Sequence, residues 1–142
     1  MVNLKELIAK DVMITSIKSA RLNTTMSVIN ELLIDFNIHH IPIVDDEGKL
    51  KGIVSKHDLD LLKINTGKYG QESLFVKQKR ILDTQLAKDV MTTKLVTVTP
   101  EDSIKTVVDI FYGNRIHALP VVENEFLVGI ITPYDLIRLA YD

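Results

Sequence analysis

The chain has 142 residues, no cysteine and a net charge of −2. Disulfides, thiolate metal sites and a cysteine nucleophile are therefore excluded, and no general pull toward nucleic acid or an anionic membrane is expected. An apolar fraction of 46% and a charged fraction of 25% suit a soluble globular protein.

The N-terminal MVNLKELIAKDVM mixes charge with apolar residues and lacks the apolar centre of a signal peptide. No apolar run approaches the roughly 18 residues of a membrane span, so a cytoplasmic protein is expected. Leu4, Leu7 and Ile8 predict a lead-in helix over 3–10, with residues 1–9 set apart as an N-terminal element. Ile14 to Ala20 then runs extended. Thr24 or Thr25 can cap a helix whose apolar stripe is Met26, Ile29, Leu32, Leu33 and Phe36. Two apolar strands follow, Ile41–Val44 and Leu50–Ser55, joined by the acidic turn Asp45-Asp46-Glu47-Gly48-Lys49, which predicts an antiparallel hairpin. That turn reads as solvated rather than as a cation site. A helix starts near Lys56 and carries Leu59 and Leu62.

Residues 65–87 read as a linker, broken by Gly67 and Gly70, with Leu74, Ile81, Leu82 and Leu86 lining a helix further on. Its Lys77-Gln78-Lys79-Arg80 is the one basic cluster and reads as a solvated helix face, since each phosphate neutralised needs its own cation. Beyond it the earlier pattern returns. Pro100-Glu101-Asp102-Ser103 opens a helix with Ile104, Val107, Val108 and Phe111, and Gly113-Asn114 offers a left-handed stop. Strands are expected at Leu119–Val122 and Leu127–Thr132, and a last helix from Pro133 with Leu136, Ile137 and Ala140.

The return is a repeat in register. Met91 follows Met13, and Pro120 follows Pro42, by 78 positions; Gly129 follows Gly52, and Asp135 follows Asp58, by 77. The missing residue falls in the turn, where Glu123-Asn124-Glu125 is the shorter version. Residues 10–64 and 88–142 are thus two copies of a strand–helix–strand–strand–helix unit. The extended segment at Lys18 and the strand at Ile41 are joined through a helix, which favours parallel pairing. Units of this length are marginal alone, so the copies are expected to share a core in an α+β fold.

Candidate chemistry sits in Ser55-Lys56-His57-Asp58 and Thr132-Pro133-Tyr134-Asp135. A hydroxyl with an acid three residues on is a capping box, and proline suits the first helical position, so a helix cap is the simpler reading. A glycine-bearing strand running into a helix N-terminus also leaves room for another backbone or for an anionic ligand.

The order M-x-x-x-V-T-V, helix, h-P-h-h-D/E, turn, G-h-h-[ST]-x-x-D, written twice, resembles a tandem pair of cystathionine-β-synthase (CBS) domains, the Bateman module. The residues that carry the likeness are Met13, Pro42, Gly52, Ser55 and Asp58, then Met91, Pro120, Gly129, Thr132 and Asp135. The first copy departs at Lys18-Ser19-Ala20, which stands for Val96-Thr97-Val98. The resemblance implies two repeats packed through their sheets with pseudo-two-fold symmetry. It implies clefts between them for AMP, ADP, ATP or S-adenosylmethionine as ligand, with no cofactor or metal. Asp58 and Asp135 would hold ribose hydroxyls, and Ser55 and Thr132 would reach ribose or phosphate. Adenine would lie among Ile41, Pro42, Ile43, Leu119, Pro120 and Val121, with backbone contacts near Lys18 and Val96 and Tyr134 available to stack. His39, His40 and His117 would reach phosphate.

Read from the residues alone, those histidines could equally serve packing or hydrogen bonding. A shared metal is disfavoured because neighbours on a strand face opposite ways. No phosphate loop, dinucleotide fingerprint or hydrolase triad is legible, so a sensor module standing alone is expected rather than an enzyme. The rival reading is a dimerisation or partner-docking module with vestigial clefts. A homodimer and an effector protein are the expected partners; membrane and nucleic acid are not.

Overall fold

The computed structural model describes residues 3–64 and 73–141; Gly67 and Gly70 of the expected linker lie outside them. The fold is α+β. Its elements are α1 (Ala9–Val12), β1 (Ala20–Arg21), α2 (Met26–Asp35), β2 (His40–Val44), β3 (Leu50–Ser55), α3 (Lys56–Ile64), α4 (Leu74–Thr84), α5 (Ala87–Val90), α6 (Ile104–Asn114), β4 (Leu119–Glu123), β5 (Phe126–Ile131) and α7 (Pro133–Tyr141).

The caps are where hydroxyls can make them. Thr25, rather than Thr24, accepts from the Val28 amide at 3.4 Å to start α2, and Ser103 accepts from Thr106 at 3.1 Å to start α6. Two sequence expectations fail locally. The lead-in is not one helix: a 3₁₀ turn at Leu4–Glu6 and the single-turn α1 are separated by Leu7 and Ile8, and Ile8 is drawn into a bridge with Ser103. The left-handed stop of α6 is Arg115, at φ 51°, not Gly113 or Asn114. Its counterpart Asn37, at φ 50°, holds the same position after α2.

The chain divides into two compact units, and they are not simply the two repeats. One holds 18–47 and 51–95; the other holds 1–17, 48–50 and 96–142. In the first unit, β2 lies between β1 and β3, with β1 parallel to it and Ala20 opposite Ile43. In the second, β4 and β5 form an antiparallel hairpin, and Val98 bridges Val121 in parallel. The inner register is the same in both copies, although Lys18-Ser19-Ala20 departs from the pattern and Val96-Thr97-Val98 fits it. Asn124 and Glu125, at φ 51° and 74°, make the tight two-residue turn that the deletion requires.

Each unit is completed by the segment that precedes the other repeat. In the second unit, Ala9 donates to the Asp102 carbonyl at 2.7 Å, Lys10 to Pro100 at 2.9 Å, and Ile104 to Leu7 at 2.9 Å. Ile14 and Ile130 exchange two more bonds. In the first unit, Ala87 donates to Thr24 at 2.8 Å, Lys88 to Leu22 at 3.0 Å and Met26 to Gln85 at 2.8 Å, with Thr92 and Ile53 exchanging two. The lead-ins are therefore traded between the copies. Buried residues form two clusters rather than the single shared core expected. One contains Met26, Ile29, Ile41, Ile43 and Val54, closed by Leu82 and Ala87. The other contains Ile104, Val107, Leu119, Val121 and Ile131, closed by Ala9.

Candidate functional site

Each unit carries one full set of the expected site residues. In the first unit β3 ends at Ser55 and α3 begins at Lys56. The Ser55 amide donates to Asp58 Oδ2 at 2.9 Å, and the Asp58 amide donates to Ser55 Oγ at 3.1 Å. In the second unit the Thr132 amide and hydroxyl both donate to Asp135 Oδ2, at 2.8 and 3.0 Å, and the Asp135 amide reaches Thr132 Oγ1 at 3.4 Å. The capping-box reading is thus correct in both copies. It does not exhaust the carboxylates, because the cap uses only Oδ2. Oδ1 of Asp58 and of Asp135 has no hydrogen-bond partner among the described residues. Both side chains are half-buried.

The β-ladders bring the remaining residues to the same end of each sheet. Stepping back from Ala20–Ile43 places Lys18 beside Ile41 and the His39-His40 pair. The Lys56 amide donates to the His39 carbonyl at 2.8 Å, fixing the start of α3 against the start of β2. In the second unit Leu119 pairs with Ile131, so His117 and Ala118 lie next to the Thr132–Pro133 junction, and Val98–Val121 places Val96 nearby. Pro133 has no N–H and cannot repeat the Lys56 bond. Lys18 Nζ sits 4.4 Å from the centre of the Phe36 ring, and the Arg138 guanidinium sits 4.9 Å from that of Tyr134. One face of Tyr134, the residue expected to stack on a base, therefore already carries a cation. Sequence reasoning missed the Lys18–Phe36 pair, which joins the segment before β1 to the end of α2.

Two expected roles change. Ile41, Ile43, Leu119 and Val121 are fully buried in the two cores, so their side chains offer no surface of their own. Pro42 and Pro120 are likewise fully buried. The second change concerns the glycines. A Cβ on Gly52 would lie 2.7 Å from Met91 Cγ, and one on Gly129 would lie 2.8 Å from Met13 Cγ. The close approach that requires glycine is made by the methionine of the traded lead-in, not by a ligand. No group of His, Asp or Glu able to hold a metal occurs among the described residues. No described helix is long and apolar enough to cross a membrane.

Comparison with known families decides the assignment: the CBS domain matches residues 9–61 and again 87–142. The chain belongs to the CBS domain family. Among relatives, the CBS domain-containing protein YhcV of Bacillus subtilis is 29% identical over 127 residues, covering 89% of this chain and 81% of YhcV. The inosine-5′-monophosphate dehydrogenase of Methanocaldococcus jannaschii is 27% identical over 131 residues, which are 92% of this chain but only 23% of the enzyme. CBS pairs of both kinds, alone or within a larger enzyme, are thus similar to this chain. Among solved structures, the Vibrio cholerae protein AcuB superposes with a TM-score of 0.81 at 28% identity, covering 95% of this chain and 90% of its own. The CBS domain pair of protein MJ0100, in complex with 5′-methylthioadenosine and S-adenosyl-L-methionine, superposes at 0.76 with 25% identity, covering 94% and 95%.

Proposed function

We propose that this CBS pair is a regulatory module that binds an adenosyl ligand of the AMP, ADP, ATP or S-adenosylmethionine class, and acts by binding rather than by catalysis. The observation that carries this reading is the half-used carboxylate. Asp58 and Asp135 each anchor a helix start through Oδ2 and keep Oδ1 for a donor from outside. A ribose offers two adjacent hydroxyl donors, and a charged acceptor binds them well. Ser55 and Thr132 stand beside those carboxylates, His39, His40 and His117 at the strand starts, and Lys18, Val96 and Tyr134 around them. The adenosyl ligands of the MJ0100 pair support the ligand class.

The test begins with mass spectrometry of small molecules released when the purified protein is denatured. Stripped protein is then melted with each ligand. At a hundred times its dissociation constant, a ligand stabilises the fold by about 2.7 kcal/mol. For a chain of this size that is a rise of roughly 5–10 °C. Asp58→Ala and Asp135→Ala should each remove part of the shift, since a lost charged acceptor costs about 1.5–3 kcal/mol. Both variants also weaken a helix start, so their unliganded melting is subtracted. Absence of any shift would leave the second reading, a dimerisation or docking module. The feature favouring it is α7, where Tyr134, Ile137 and Tyr141 are exposed, Tyr141 at 89%. We propose a second copy of the chain as the partner there, and a separate effector protein as the recipient of the signal.

A further inference from the structure

The two half-sites are built alike but charged differently. At five equivalent positions the first unit has Lys18, His39, His40, Lys56 and His57. The second has Val96, His117, Ala118, Pro133 and Tyr134. All five of the first set are at one end of its sheet, joined there by the β1–β2 pairing and the Lys56–His39 bond. Lys18, His39, Lys56 and His57 are exposed. In the second unit the cations near the equivalent end of the chain are two arginines outside those five positions. Arg138 lies over Tyr134, and Arg115 occupies the left-handed stop of α6.

Resting on the adenosyl-ligand reading above, we propose that the half-sites discriminate by ligand charge: the first takes an adenosine polyphosphate, the second an unphosphorylated adenosyl thioether or sulfonium. The physical ground is that a phosphate chain is stabilised by several cations within a Debye length of about 8–10 Å. The second half-site has apolar or aromatic surface at those same places, which suits the methylthio end of a ligand and offers a phosphate the Arg138 guanidinium over Tyr134 in place of two lysines. Both sites keep the ribose carboxylate, so both keep the nucleoside. Lys18 is already held against Phe36 and loses less side-chain freedom on binding than an unrestrained lysine.

The four histidines are natural reporters, three in the first unit and one, His117, in the second. Stripped full-length protein is titrated with ATP and separately with 5′-methylthioadenosine, following histidine ring resonances by NMR. ATP should move His39 and His57, and 5′-methylthioadenosine should move His117 and the Tyr134 ring. In Lys56→Gln, a substitution at an exposed position, the ATP dissociation constant should rise about tenfold, the low end for one charge-assisted contact. Adenosine affinity at the same half-site should change less than about twofold, because adenosine has no phosphate for a charge-assisted contact. The assignment is overturned if ATP moves only His117, if both ligands move the same rings, or if Lys56→Gln weakens ATP and adenosine equally. If neither ligand moves any ring, the ligand reading itself fails.

Discussion

Replacing Gly52 by alanine probes the traded lead-in directly. The new Cβ would lie 2.5 Å from Met91 Sδ, 2.7 Å from Cγ and 2.9 Å from Cβ. The first two atoms can rotate away. The third is fixed by backbone, and that backbone is pinned to the sheet by two hydrogen bonds between Thr92 and Ile53, at 2.9 and 3.1 Å. The edge must therefore shift. Overpacking of this kind costs about 1–3 kcal/mol, offset by about 0.4–1 kcal/mol from a stiffer unfolded chain. A net loss of about 1.3 kcal/mol is expected, or roughly 3–5 °C in melting temperature. Met91→Gly alone removes a half-buried side chain, Cβ included, and should cost about 2–3 kcal/mol. The double variant should be no worse than Met91→Gly, because the clash has gone, giving a coupling of about 2 kcal/mol. Urea denaturation followed by circular dichroism measures all four proteins. Costs that simply add, within about 0.5 kcal/mol, would refute the contact as the reason for the glycine.

Ser103→Ala should lose about 1 kcal/mol, and Thr25→Ala somewhat less, because its capping bond is longer, 3.4 against 3.1 Å; chemical denaturation reads both. Glu125→Gly should raise stability by up to about 1 kcal/mol, since a non-glycine residue at φ 74° is strained and its ion pair with Lys49, at 3.9 Å on an exposed acid, contributes little. A lower melting temperature for that variant would show that the turn is not strained. Light scattering across micromolar concentrations should give the mass of a dimer, and Tyr141→Glu should reduce it toward the monomer; a monomeric mass for the parent chain defeats that proposal.

Much of this architecture is legible in the sequence because it is local. Helix starts follow from Thr25, Ser103, Ser55 and Thr132, and the hairpins from apolar runs of four to six residues around polar turns. The repeat offset locates the deletion in the turn at Asn124-Glu125. What is not legible is which copy a segment docks on. Residues 9–13 and 87–91 are the same pentapeptide, AKDVM, and their docking bonds are made by backbone, which leaves no trace in side-chain pattern. For the same reason the Met–Gly pairs look like generic flexibility until the trade is seen. Gly113-Asn114 misleads because both residues are still helical at the end of α6, and the left-handed stop falls on Arg115. At the site, the tetrads identify their own helix caps, but that Oδ1 has no partner among the described residues is a matter of geometry.

The trade of lead-ins also determines what half of the chain can do. A fragment of residues 1–64 retains β1 to β3 and their helices but lacks 85–92, so five backbone hydrogen bonds and the buried Ala87 and Leu82 are missing from its unit. Its own lead-in offers the same AKDVM, yet the place of Thr92, which Ile14 would take, lies beyond β3, while the chain must enter β1 on the far side of β2. That is three strand spacings, about 14 Å. The six steps from Ile14 to Ala20 span at most about 20 Å when fully extended, leaving little to pass around the helices packed on the sheet. A second fragment meets no such restriction: each copy can donate its lead-in to the other and regain those bonds. The fragment should therefore be largely unfolded as a monomer and fold as a reciprocal dimer, with a melting temperature that rises with concentration. Ala9→Asp would place an unpaired charge in the fully buried Ala87 position and should abolish the dimer. A stable monomer with a dispersed NMR spectrum, melting independently of concentration, would show that one repeat closes on its own lead-in and that the trade is not needed for folding.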